Sequence, residues 1–287
     1  MQAFEYIAPA TIAEALGVLA EHRDDAKVLA GGQSLVPLLN CRLAKPRVVV
    51  DVNGLPLDGV GVTADRLRLG ALTRHATLQE SDEIARECPV LREAAALIGN
   101  VRVRTLGTIG GSLAHGDPAA ELPMAMVALD ARFVIAGSAG RRMVAAREFF
   151  TGYLTTTLAP EELLTEIDIP TTRDMGWAVE EISRRAGDFA IVAVTALIRL
   201  DGRGRVDDAR LAFAGVGPAP VRVPATEDLL LGAEPTAERI GQAADAARDA
   251  LAPESDAFVS GAYRRLLGGV LARRALTRAV ARAIEIR

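Results

Sequence analysis

Along the first half of the chain the spacing of apolar positions alternates between the two regular periods. Between Thr11 and Arg23 the residues Ile12, Ala15, Leu16 and Leu19 recur at helical intervals, with Thr11 placed as N-cap and Glu14 three residues on. The short apolar segment from Lys27 to Leu29 predicts a strand that runs into Ala30-Gly31-Gly32-Gln33-Ser34-Leu35, and a second helical pattern continues through Leu39. Arg47 to Val52 is a β-branched run closed by Asn53-Gly54, a strand followed by a turn.

A second unit starts near residue 59. From Gly59 to Leu72 the pattern alternates, with Leu67, Leu69 and Ala71 on one face, and from Thr77 to Ile98 it returns to helical spacing interrupted at Pro89. Thr105 to Pro118 reads as a loop, Glu121 to Leu129 as an apolar helix and Arg132 to Ile135 as a strand. Further strands are expected at Leu164 to Ile169 and Ala178 to Ser183, joined by the turn-rich Pro170-Thr171-Thr172-Arg173-Asp174, where we expect a domain boundary near residue 174. Beyond it, Ile191 to Leu200 and Val206 to Gly215 read as β segments, and Ala237 to Ala252 and Ser260 to Ile286 as amphipathic helices.

Composition narrows the function classes. The 287 residues are 50% hydrophobic, enough for two domains with their own cores. A net charge of −4 with acids and bases mixed throughout provides no basic face for nucleic acid. The first residues lack the basic segment of a secretory signal, and no apolar run approaches the roughly 20 residues of a membrane helix, so a cytoplasmic chain is expected. Cys41 and Cys88 are too few to ligate an iron–sulfur cluster, and His22, His75 and His115 lack metal-ligand spacing. No catalytic serine, cysteine nucleophile or carboxylate pair stands at convincing spacing, so redox chemistry here needs an organic cofactor.

Two glycine-rich segments are the candidates for holding one: Ala30 to Leu35, and Thr105-Leu106-Gly107-Thr108-Ile109-Gly110-Gly111-Ser112. Glycine lets backbone approach a phosphate closely and allows successive N–H groups to converge on an anion, and a helix starting at Ser34 adds its dipole. Either segment alone more often makes a plain turn. Together they read as two sides of a pyrophosphate cleft. Neither matches the three-glycine dinucleotide fingerprint or the nucleotide-hydrolase phosphate loop.

In their order and spacing, these two motifs and Leu69-Gly70-Ala71-Leu72-Thr73 resemble the FAD-binding medium subunit of the carbon monoxide dehydrogenase and xanthine dehydrogenase family of molybdenum hydroxylases. The resemblance continues through Asp117-Pro118-Ala119-Ala120-Glu121-Leu122-Pro123, Glu166-Ile167-Asp168-Ile169-Pro170 and Ser183-Arg184-Arg185-Ala186-Gly187-Asp188-Phe189-Ala190, nearly the whole chain.

It implies an α+β fold: a two-subdomain FAD-binding domain of the vanillyl-alcohol-oxidase/PCMH type over residues 1–174, divided into about 1–58 and 59–174, then a smaller α+β C-terminal domain over 175–287 with antiparallel sheet backed by helices. It also implies FAD in this chain, its pyrophosphate held by backbone amides of Ala30, Gly31, Gly32, Gln33, Ser34 and Leu35 and of Thr108, Gly110 and Gly111. Ser112 and Asp117 would meet ribityl or ribose hydroxyls, with a plain turn role for Asp117 the alternative. Thr73 is a weaker contact, and Leu164 lies either against the flavin ring or in the strand core. Where the family often carries a lysine near the flavin, this chain has Glu180, and Arg184 either replaces that charge or sits exposed on a sheet edge.

The function so implied is electron transfer inside a heteromeric complex. Partners would be a molybdopterin-binding large subunit and a small subunit with two-iron iron–sulfur clusters, assembled as a dimer of heterotrimers. A self-sufficient flavin oxidase or reductase, and a non-catalytic scaffold subunit, are the competing expectations.

Overall fold

A computed structural model describes residues 2–287. The chain begins with β1 (Glu5–Ile7), α1 (Ile12–His22), β2 (Ala26–Leu29), α2 (Leu35–Asn40) and β3 (Val48–Asp51). The three strands form a parallel sheet in the order β1-β3-β2, so the most apolar strand lies in the middle. The cap read from the sequence is present: Thr11 Oγ1 accepts from Glu14 N at 3.1 Å, and the Glu14 carboxylate accepts from Ala10 N at 2.7 Å. Ala15 and Leu19 of α1 bury themselves with Val48 and Val50 of β3.

Next come β4 (Val60–Val62), β5 (Arg66–Gly70), α3 (His75–Glu80), α4 (Asp82–Glu87), α5 (Pro89–Leu97), α6 (Val101–Leu106), α7 (Ile109–His115) and α8 (Glu121–Ala128). They are followed by β6 (Arg132–Gly137), β7 (Gly140–Ala145), α9 (Ala146–Phe149), β8 (Phe150–Gly152), β9 (Thr155–Thr156) and β10 (Leu163–Pro170). An antiparallel sheet runs in the order β4-β5-β10-β6-β7. The helical stretch from Thr77 breaks twice, not once. Pro89 opens α5, and Ser81 also ends one helix and caps the next, its Oγ accepting from Ile84 N at 3.3 Å. The segment from Thr105 to Pro118, expected to be a loop, is largely helical. Gly110 and Gly111 lie inside α7, where a Cβ would crowd Ala71 and the Thr108 hydroxyl, whereas Gly107 stands between α6 and α7 and Gly116, at a φ of 63°, ends α7.

The last part holds β11 (Gly176–Ser183), β12 (Ala190–Leu200), β13 (Val206–Ala214), β14 (Val221–Arg222), α10 (Pro224–Leu230), α11 (Ala237–Ala250) and α12 (Gly261–Ile286). Its antiparallel sheet has the order β11-β12-β13-β14 and packs against α12. Gly176 permits that packing, since a Cβ there would lie 2.0 Å from Ala279 O. The apolar core runs on past residue 174, where a boundary was expected. Ala190, Ala193, Leu197, Ala212 and Ala214 belong to the same buried cluster as Leu67, Ile135 and Ile167. All eight residues of α8 are buried, and the helix packs against α5, β12 and β13.

A polar clamp reinforces the join. Glu93 of α5 accepts from Trp177 Nε1 at 3.1 Å and Val179 N at 3.0 Å, and from Arg278 and Arg282 of α12 at 2.8 and 2.7 Å. Arg282 also stacks over the Trp177 ring at 4.6 Å. Among the described residues no helix is long and apolar enough to cross a membrane.

Candidate cofactor-binding site

Ala30 to Ser34 form the turn between β2 and α2, and Leu35 opens the helix. Gly32 takes a φ of 70°, the left-handed region that a side chain resists. Val36 N returns to Gly32 O at 3.1 Å and Leu38 N to Ser34 O at 3.2 Å, but the amides of residues 30–35 meet no acceptor among the described residues. The Ser34 side chain makes no capping bond, whereas Gln33 Nε2 braces the turn by donating to Gly31 O at 2.9 Å. Consecutive N–H groups left open at a helix start are suited to an anion.

The second motif is built differently. Ile109 N donates to Thr73 O at 3.0 Å, Gly110 N to Ala71 O at 2.8 Å, and Gly111 N to Thr108 Oγ1 at 3.1 Å. Amides at the start of α7 are therefore already engaged, so Gly110 and Gly111 do not present N–H groups as expected. Their value is thinness. A Cβ on Gly110 would lie 2.6 Å from Ala71 Cβ, and one on Gly111 would lie 2.8 Å from Thr108 Oγ1.

The fold brings the two motifs into contact. A Cβ on Gly31 would lie 2.3 Å from Leu106 O, and one on Gly111 would lie 3.8 Å from Ala30 Cβ. Two residues that were not among the expected cofactor contacts tie them together. Asn53 Nδ2 donates to Ala30 O at 2.8 Å, Arg74 Nη2 donates to Asn53 Oδ1 at 2.8 Å, and the Arg74 guanidinium also donates to Leu106 O. Asn53 was legible only as a turn residue, and nothing local marks Arg74. Its guanidinium puts positive charge at the seam. His75, next in the chain, is buried under Gly107 with both ring nitrogens lacking partners, and burial pushes its pKa down to about 4.

Other expected residues sit around this centre with their own roles. Thr73 is buried and donates its hydroxyl to Gly59 O at 3.0 Å. Leu164 is buried in β10 beside a bulge, where Ala71 N donates to Thr165 O at 3.0 Å. Ser112 lies part-buried on α7. Asp117 makes a turn, its Oδ1 accepting from Ala119 N at 2.8 Å, and Pro118 O accepts from Gly215 N at 2.9 Å.

Beyond that turn stands a feature the sequence did not reveal. Glu121 is buried at the first position of α8, and burial, with Glu181 and Asp117 nearby, pushes its pKa up to about 7. Burial does the same to Glu181, again to about 7. Glu180 pairs with Arg278, and Arg184 lies over the Phe258 ring at 5.2 Å. Cys41 is exposed, and the buried Cys88 thiol is pushed up to about 11 by its surroundings.

The family described as the FAD binding domain in molybdopterin dehydrogenase matches residues 2–172, and that described as the CO dehydrogenase flavoprotein C-terminal domain matches residues 177–279. The chain is 38% identical over 282 residues to the 6-hydroxypseudooxynicotine dehydrogenase complex subunit alpha of Paenarthrobacter nicotinovorans, covering 98% of this chain and 95% of that one. It is similar in structure to a chain of the carbon monoxide dehydrogenase from Hydrogenophaga pseudoflava, with a TM-score of 0.95, 38% identity and 98% of both chains covered. For a chain of quinoline 2-oxidoreductase from Pseudomonas putida 86 the TM-score is 0.94 at 36% identity, covering 99% of both.

Proposed function

Because the chain belongs to the family of FAD-binding medium subunits of molybdenum hydroxylases, we propose that it relays electrons within such a complex. It takes them from an iron–sulfur subunit and passes them to an external acceptor. Its partners are a molybdopterin-binding large subunit and a small subunit carrying two-iron clusters, two copies of each chain assembling together. The observation that carries this reading is the run of open amides from Ala30 to Leu35, set against the second glycine motif with Arg74 at the seam.

These residues fit a dinucleotide flavin. Gly31 and Gly32 let the backbone approach the pyrophosphate, the open amides donate to its oxygens, and Arg74 offsets its charge. Gly110 and Gly111 form a thin wall, Ser112 and Asp117 offer polar groups to hydroxyls, and Leu164 supplies an apolar surface. His75 stays neutral at physiological pH and so contributes no positive charge toward the pyrophosphate, which leaves that role to Arg74. FAD, when bound, supplies the acceptance and release of electrons singly or in pairs. The chain itself binds, orients and excludes water.

The test is to purify the chain alone and with its partner subunits, then follow the flavin absorbance after adding candidate heterocycles or aldehydes. Bleaching only in the assembled complex is expected, with FAD and not FMN as the released cofactor. Rapid bleaching of the isolated chain by the organic substrate would overturn the relay and favour a self-sufficient flavin oxidase.

A further inference from the structure

A continuous hydrogen-bonded path runs from the surface of the first sheet to the seam between the glycine motifs. Tyr6, on β1, is 56% exposed, so its ring gains little from burial and its hydroxyl is what the position uses. That hydroxyl donates to Asp51 Oδ2 at the end of β3. Asp51 Oδ1 accepts from Asn53 N at 3.0 Å and from Asn53 Nδ2 at 2.7 Å. At Asn53 the path divides, to Ala30 O through the amide nitrogen and to Arg74 Nη2 through the amide oxygen, each at 2.8 Å. Arg74 Nη1 completes it by donating to Leu106 O.

Donors and acceptors along this path allow one arrangement. A carboxylate and a backbone carbonyl only accept, so the Asn53 NH2 must face Asp51 and Ala30, and its oxygen must face Arg74. Turned over, the amide would set its oxygen against two acceptors and its NH2 against a guanidinium that can only donate. The bond from Asn53 N alone would make Asp51 an ordinary turn residue. The bond from Nδ2 is what carries its influence to the cofactor motifs.

Asn53 also keeps two charges apart. Arg74 donates to the neutral oxygens of Asn53 and Leu106, with the amide standing between it and the Asp51 carboxylate. Its remaining N–H groups meet no acceptor among the described residues, so the guanidinium reaches the seam with its charge unpaired. We infer that Asp51 is a positioning residue for FAD: held by Tyr6, it fixes the Asn53 amide so that Arg74 presents its positive charge to the pyrophosphate. This inference rests on the reading that the two glycine motifs hold that group.

The experiment titrates FAD into the flavin-free full chain and follows flavin fluorescence, with thermal unfolding of each flavin-free variant measured alongside. On charge alone, removing a carboxylate strengthens the binding of an anion, so the sign of the change discriminates. Asp51→Ala should instead weaken FAD roughly tenfold, as expected for a lost hydrogen bond to a charged group. Asn53→Ala keeps the backbone N–H that the turn uses, and in that background Asp51→Ala should cost no further affinity. Tyr6→Phe, an exposed change outside the turn, should weaken FAD about threefold, again only where Asn53 is present. Affinity at or above the wild-type value in Asp51→Ala overturns the inference, and so does a loss that persists undiminished when residue 53 is alanine. If Asp51→Ala unfolds at a lower temperature than wild type, Tyr6→Phe carries the test through the same two comparisons. A wild-type chain that takes up no FAD overturns the cofactor reading itself, which separates the two failures.

Discussion

Replacing Glu121 by glutamine should make the chain more stable near pH 8 and leave it nearly unchanged near pH 5. In the fold the carboxyl is buried at the head of α8, and burial raises its pKa from 4.5 to about 7. A carboxyl that binds its proton more tightly folded than unfolded stabilises the chain fully below its unfolded pKa, and that stability is lost as the pH rises through the folded pKa. The window is therefore from 4.5 to about 7. Each tenfold change in proton affinity is worth about 1.4 kcal/mol, which bounds the loss at about 3 kcal/mol for this one group. Glu181 lies close by and is also raised to about 7, so the two titrate as a pair and their losses do not add. Glutamine keeps the shape without the charge, so a gain of about 1–3 kcal/mol is expected above neutrality. Urea unfolding of flavin-free and flavin-loaded chain across this range measures it. Parallel wild-type and variant profiles, or a variant less stable at alkaline pH, would refute the reasoning.

Gly31→Ala would set a methyl 2.3 Å from Leu106 O and force the glycine motifs apart. A cost of about 1–3 kcal/mol is expected, read as roughly ten- to hundredfold weaker FAD binding in a fluorescence titration. Arg74→Ala removes the link from Asn53 to Leu106 together with the seam's positive charge, and should weaken FAD about tenfold with a shallower salt dependence in the same titration. Glu93→Ala would strip Arg278, Arg282 and Trp177 of a shared acceptor, and because those groups are partly exposed a loss of about 2 kcal/mol in thermal or urea unfolding is expected, with FAD affinity little changed.

What the sequence disclosed follows from range. The Thr11–Glu14 cap, the β-branched run before Asn53 and the alternating Leu67 and Leu69 are set by neighbours within a few positions, and local period reads them directly. The second glycine motif misled for a physical reason. Gly107 and Gly110 look only like turn-makers locally, yet their lack of a side chain answers to His75 and Ala71, contacts that only the fold creates. Asn53 and Arg74 were missed because their partners stand 21 to 32 residues away. Glu121 was quoted as part of a motif but not as an ionisable group under stress, because its burial, and to a lesser degree its neighbour Glu181, come from the packing of α8 against the C-terminal sheet.

The alanines that meet α8 have a consequence for inheritance. Ala193, Ala212 and Ala214 sit in the buried cluster that contains Leu122, Met126 and Leu129, so the later sheet offers flat ground fitted to one particular ridge of side chains. A hybrid that took its first half from this chain and its second from a distant relative would have to reproduce that fit, or separate by the width of a methyl group wherever a larger residue replaced an alanine. Swapping of halves is thereby penalised, and variation in such a chain is steered toward its loops and outward-facing residues, with the two halves passed on as a single piece.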